Sequence, residues 1–123
     1  MYQYNLVDGI KVDGNIFKTV SIRHLSDSES EDIQLIAKEQ YSELAKGETF
    51  KVVNSKHGSS IEGLIYLNEH TAASITKLGN MSVNLSFSDL CNMGVTAQDW
   101  QVIMSASMAV QEFFCCGDGE MLA

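Results

Sequence analysis

From Thr96 to Phe114 the chain spells a helix with very little solvated face, and that stretch restricts its possible folds more than any other. Two helix starts lead into it with the same device. Ser86 stands three residues before Asp89, and Thr96 three before Asp99. Each hydroxyl can accept from a free backbone N–H of the first turn, and the acidic residue can answer back as Glu or Gln does in a capping box. Leu85 with Leu90, and Val95 with Trp100, have the spacing of a hydrophobic staple around each start. Beyond the second start, Trp100, Ile103, Met104, Ser107, Val110 and Phe114 form one stripe at three- and four-residue steps. Val102, Ala106, Ala109 and Phe113 form a second stripe beside it, and Met108 widens the band.

A helix packed on one core normally keeps a charged face toward water. Here only Gln98, Asp99, Gln101, Ser105, Gln111 and Glu112 are strongly polar, and no Lys or Arg stands between Gln98 and Ala123. Two readings follow. The helix is central and packed on both sides within its own domain, or one stripe serves the domain and the other meets a second chain. Met104 and Met108 suit the second reading, because a thioether side chain repacks easily against different partners. The contact candidates are then Trp100, Ile103, Met104, Met108, Val110, Phe113 and Phe114. A membrane span fits poorly, since Gln111 and Glu112 interrupt the run and basic flanks are missing.

The start of the chain has strand periodicity. Tyr2, Tyr4 and Leu6 alternate with Gln3 and Asn5, Asp8-Gly9 offers a bend, and Ile10 and Val12 resume the pattern. Asp13-Gly14 is a strong two-residue hairpin signal, with a return strand over Ile16–Leu25. Ile33, Ile36, Ala37, Gln40, Tyr41 and Leu44 then share one face of a helix expected from about Glu29 to Ala45, closed by Lys46-Gly47. Thr49–Asn54 reads as a strand and Ser55–Ser60 as a loop. Ile61–Leu67 fits a strand or a helix entry. Asn68 can cap a helix from Glu69 to Leu78 that Gly79-Asn80 stops, and Gly117–Ala123 reads as a frayed tail. The expected fold class is α+β in a single domain over residues 1–123. An N-terminal antiparallel hairpin or meander (1–25) leads into a mainly helical part of about four helices (26–116), followed by the tail (117–123).

Composition removes several functions. The chain carries 16 acidic against 8 basic side chains, a net charge of −8, and its single Arg is Arg23. Phosphate recognition needs concentrated Lys and Arg, so nucleic acid is not an expected partner. Cys91, Cys115 and Cys116 are odd in number and lack ligand spacing, which fits free thiols in a reducing compartment. The first residues, Met1-Tyr-Gln-Tyr-Asn, lack the basic and apolar regions of a signal peptide, so the expected location is the cytoplasm. His24, His57 and His70 have no second ligand at a metal-binding interval, and no nucleophile elbow or phosphate loop occurs. Asp27, Glu29, Glu31 and Asp32 lack the Gly and terminal Glu of a calcium loop, and the macrodipole of the following helix accounts for them. No cofactor, metal or enzymatic activity is expected.

Two stretches carry a family likeness. The first is Leu6-Val-Asp-Gly-Ile-Lys-Val-Asp-Gly-Asn-Ile-Phe-Lys-Thr-Val-Ser-Ile-Arg-His-Leu25, an apolar strand and Val-Asp-Gly turn before a return strand ending in an Arg-bearing segment. The second runs from Leu85-Ser-Phe-Ser-Asp-Leu to Phe113-Phe114, with Ala72-Ala-Ser-Ile-Thr-Lys-Leu-Gly79 between them as a middle helix. In this order the chain resembles the small tail assembly chaperones of contractile-tailed phages and prophages, of the Mu-like and related types. It departs from them in having no proline after the first strand, and Gly47–Leu67 has no counterpart.

The resemblance implies a non-enzymatic protein of the host bacterial cytoplasm that coats the helical tape-measure protein until tail tube subunits assemble around it. The tape-measure protein is the implied partner, the tail tube protein a further one, and self-association is expected, because an uncovered apolar patch is a liability in a monomer. Two other classes compete. One is a structural tail-tube or baseplate component built on the meander, which would stay in purified particles. The other is an acidic inhibitor or antitoxin-like protein, whose binding would weaken in salt.

Overall fold

The computed structural model describes residues 2–44, 46 and 60–115, with no side-chain detail at residues 60 and 113–115. The strand expected over Thr49–Asn54 and the tail over Gly117–Ala123 lie outside them, as does the loop expected over Ser55–Ser60 except for Ser60, which opens a helix. Strands β1 (Tyr2–Val12) and β2 (Asn15–Ile22) are followed by helices α1 (Asp27–Leu44) and α2 (Ser60–Ser74). Strands β3 (Ile75–Leu78) and β4 (Met81–Ser82) come next, then helices α3 (Phe87–Asn92) and α4 (Ala97–Cys115). The strands make one antiparallel sheet in the order β1-β2-β3-β4. The fold is α+β, as expected.

The first hairpin forms where the sequence places it. Asp13 and Gly14 both adopt positive φ, 51° and 83°, as a two-residue turn that follows strand twist requires. Toward the chain start Tyr2 pairs with Ile22 and Tyr4 with Val20, while beyond the bend Ile10 pairs with Phe17. Leu6 to Gly9 therefore stand opposite Lys18 alone, a wide bulge in β1. Gly9 serves the bulge in two ways: its φ is +88°, and a Cβ there would lie 2.6 Å from Ile16 Cγ2.

Strand structure is not confined to residues 1–25, and this corrects one expected helix. The helix expected over Glu69–Leu78 ends at Ser74, and Ile75–Leu78 becomes a strand beside β2. Ser74 Oγ donates to Thr71 O at 2.6 Å in the last turn, a local bond that competes with helix continuation. Beyond it the buried Ile75 and Leu78 find a place on the sheet. Gly79-Asn80, expected as a helix stop, instead joins β3 to β4, with Gly79 at φ +59° against the Phe17 ring. The run Ile61–Leu67 is helical. Asn68 sits inside α2 rather than at its start, and its buried Oδ1 has no hydrogen-bond partner among the described residues.

Within the span read as one domain, the residues gather into two compact units. One is drawn from Met1–Leu25 and Thr71–Ala123, the other from Ser26–His70. The first unit holds the sheet, α3 and α4. Its core joins Leu6, Ile10, Val20 and Ile22 of the hairpin to Ile75 and Leu78 of β3, Leu90 of α3, and Ile103, Ala106 and Val110 of α4. The sheet is one-sided in β1: Leu6 is buried and Tyr2 and Tyr4 are half-buried, whereas Gln3 and Asn5 are exposed. The second unit contains α1 and most of α2. A full capping box that the acidic composition had concealed opens α1, Glu29 N donating to Ser26 Oγ at 3.2 Å and Ser26 N to Glu29 Oε1 at 3.0 Å.

Candidate functional site

Helix α4 is the expected contact element, and its sides have different fates. The middle of its inner face is core: Ile103 and Val110 are about fully buried, at 0% and 1% exposure, with Ser107 and Ala106 beside them. Ile103 and Val110, both named as contact candidates, are thus occupied by their own domain and do not reach a second chain. Trp100 is half-buried on one flank, its ring 5.1 Å from that of Phe87 in α3, and Met104, on the same flank, is also half-buried. Met108 alone among the described candidates is well exposed, at 56%. The side chains of Phe113 and Phe114 lie outside the described residues.

Two of the polar residues of α4, Asp99 and Gln111, turn inward to backbone partners, while Gln98, Gln101, Ser105 and Glu112 are exposed. Asp99 is fully buried, and its carboxylate accepts from three successive amides of the β1 bulge: Val7 N at 2.6 Å, Asp8 N at 3.2 Å and Gly9 N at 2.8 Å. Thr96 Oγ1 accepts from Asp99 N at 3.2 Å, as expected of a cap, and donates to Asp8 Oδ2 at 2.7 Å. The second helix start is therefore half of the expected capping box. Its carboxylate, instead of returning to the cap, fills a nest of backbone N–H groups of β1 that lie 90 to 92 residues away in sequence. The first start is complete, with Ser86 and Asp89 bonding each other's backbone. Gln111 works similarly to Asp99: its Oε1 accepts from Leu25 N and its Nε2 donates to Arg23 O, each at 2.9 Å, holding the chain where it leaves β2. The water-facing side holds Gln98, Gln101, Ser105, Met108 and Glu112, with Ala97 and Ala109 also exposed.

The second stripe of α4 was read beside the candidates but not chosen, and it borders the core: Ala106 is buried, Val102 half-buried and Ala109 exposed. Trp100, Met104 and Gln111 share the flank directed to α3 and the end of β2. By helical rotation, Val102, Ala106 and Ala109 lie on the opposite flank. There they line a shallow groove with Tyr4 of β1 and with Gln101 and Ser105 at its outer rim.

Large exposed apolar side chains occur on both units, with Val7, Ile16, Met81 and Met108 on the first and four more on the second. Leu35, Ile36 and Leu44 of α1 and Leu64 of α2 are 43–64% exposed. The apolar face expected for α1 is buried only along Ile33 and Ala37, with Tyr41 half-buried. Ile36 and Leu44 instead border a second shallow groove with Glu39, Gln40 and Glu43. Ser30 Oγ and His70 Nε2 lie 3.1 Å apart in the same unit, with the Tyr66 ring beside the imidazole. Among the described residues no three His, Cys, Asp or Glu side chains converge as a metal site, and no helix is long and apolar enough to cross a membrane. No protein-family model, curated protein or solved structure matches the chain.

Proposed function

We propose that the chain is a tail assembly chaperone that binds the tape-measure protein without catalysis and keeps it soluble during tail assembly. The observation that carries this reading is the exposure of Leu35, Ile36, Leu44 and Leu64 on helices of an otherwise acidic protein. Ile36, Gln40 and Leu44 recur at four-residue steps, the spacing that lets one helix lay its apolar row along another. Covering a fully exposed Leu or Ile is worth roughly 1.5–3 kcal/mol, and these residues, about half exposed, offer about half of that each, enough together for reversible binding once ordering costs are met. Glu39 and Glu43 beside the same row keep it hydrated when no client is present. The proposed client surface is thus α1, rather than the inner stripe of α4.

Co-expression with a tape-measure protein tests the proposal. The wild-type chain is expected to raise the soluble fraction of that protein, and Ile36→Glu with Leu44→Glu to abolish most of the gain while leaving the chain itself soluble. A tape-measure protein no more soluble with the chain than without it overturns the reading. A gain that the double substitution leaves intact keeps the chaperone and removes α1 as its surface.

A further inference from the structure

We infer that two copies of this chain pair antiparallel along the open edge of β1, about a two-fold axis at Tyr4. Among the described residues β1 is one of the two outer strands of the sheet, and the longer one. The bonding of β2 fixes which of its backbone groups are free. Thr19 O accepts from Gly79 N at 2.9 Å, so Thr19 addresses β3. By strand alternation Ser21 does the same, while Val20 and Ile22 address β1. Val20 pairs with Tyr4 and Ile22 with Tyr2, which occupies the backbone groups of those two tyrosines. The N–H and C=O of Gln3 and Asn5 therefore line the open edge.

Among the described residues this part of the edge carries none of the usual protection. Edge strands of monomers are blunted by Lys, Pro, a bulge or a cover. Tyr2-Gln-Tyr-Asn5 has no charge and no proline, and the bulge begins only after it, at Leu6, with the amides of Val7 to Gly9 turned into Asp99. In a chain of net charge −8, an uncharged edge is where two copies can meet with least repulsion.

The surroundings fit the same occupant. The groove lined by Tyr4, Val102, Ala106 and Ala109 lies on the α4 flank away from β2, so it extends past β1 on the inner side of the sheet. A strand added to β1 would place alternate side chains in that groove and the others in water. β1 itself has this alternation, with Tyr2, Tyr4 and Leu6 inward and Gln3 and Asn5 outward, so the edge is its own complement. In the two-fold register Gln3 faces Asn5 of the second copy, and the two Tyr4 rings meet across the axis over Ala106 and Ala109. Cross-strand aromatic pairs of this kind are favourable. The paired segment is short beside the roughly 20–30 residues a side of a standard interface, so the dimer forms at micromolar or higher concentration. The pairing does not depend on the identity of the client.

Sedimentation velocity from micromolar to millimolar concentration provides the test. The wild-type chain is expected to shift from the mass of one copy toward two. Gln3→Pro removes an edge donor without touching the β1–β2 ladder, and is expected to weaken association about tenfold or more with an unchanged far-UV spectrum. Gln3→Lys with Asn5→Lys sets like charges opposite one another, as does Gln3→Glu with Asn5→Glu, so each double variant alone should be monomeric. Mixed together, they should form a one-to-one dimer. A wild-type chain that stays monomeric at millimolar concentration overturns the pairing. So do lysine or glutamate variants that dimerise as the wild type does, or a mixture no more associated than its components.

Discussion

Asp99 joins the two longest-separated parts of the first unit through a single side chain. Its carboxylate satisfies the amides of Val7, Asp8 and Gly9, which a bulge has withdrawn from the strand ladder. Such donors are costly to leave unpaired once water is excluded. Asp99→Ala is expected to destabilise the protein by about 3 kcal/mol, read as a lower urea midpoint at unchanged slope. Asp99→Asn, which keeps one acceptor oxygen, should lose less. Thr96→Ala removes both the cap and the bond to Asp8, an expected loss of about 1–2 kcal/mol in the same measurement. A loss for Asp99→Ala no larger than for Thr96→Ala would mean that the bulge amides find other partners. Capping chemistry made Asp99 visible in the sequence. Its second role was not visible, because nothing near Asp99 names the strand it grips, although Asp8-Gly9 did mark the bend.

At the level of elements, α4 shows how an apolar helix and a buried helix differ. Its stripes were legible from spacing, but their order of burial was not. Ile103 and Val110 belong to the core cluster that also holds Leu6 and Ile10 of β1 and Val20 and Ile22 of β2, while Met108, two residues before Val110, faces water. Ile103→Ala should therefore cost about 3 kcal/mol of stability by urea denaturation. Met108→Ala should stay within about 0.5 kcal/mol of wild type. Equal losses would place both residues in the same environment and contradict the burial pattern. Helix α2 teaches the converse. Ala72 to Leu78 has helical spacing in isolation, yet the chain turns into β3 at Ile75 because the exposed edge of β2 offers those residues backbone partners and a core position.

Across the whole molecule, burial is uneven. Val20 and Ile22 of β2 are fully buried, whereas α1, eighteen residues long, buries only Ile33 and Ala37. Few buried apolar contacts mean a lower free energy of local opening. Amide hydrogen exchange is expected to be slowest in β2 and the middle of α4, and markedly faster throughout α1. Uniform protection across both units would contradict this ranking. The same unevenness separates two tasks: the sheet unit supplies stability and the proposed self-pairing edge, and the helices of the second unit supply the proposed client surface.

Local chemistry determined much of this by itself: the Asp13-Gly14 hairpin, the helix starts at Ser86 and Thr96, and the alternation of β1. Each depends on residues within one turn or a few positions, where propensity and hydrogen bonding act without help from distant chain. Tertiary structure decided what depends on which surfaces meet. It turned Ile75–Leu78 from helix to strand, sent the Asp99 carboxylate to the bulge and left Ile36 and Leu44 in water. An apolar stripe states only that burial is favourable. Which stripe is covered follows from competition for one core, and that competition is settled by the whole fold at once.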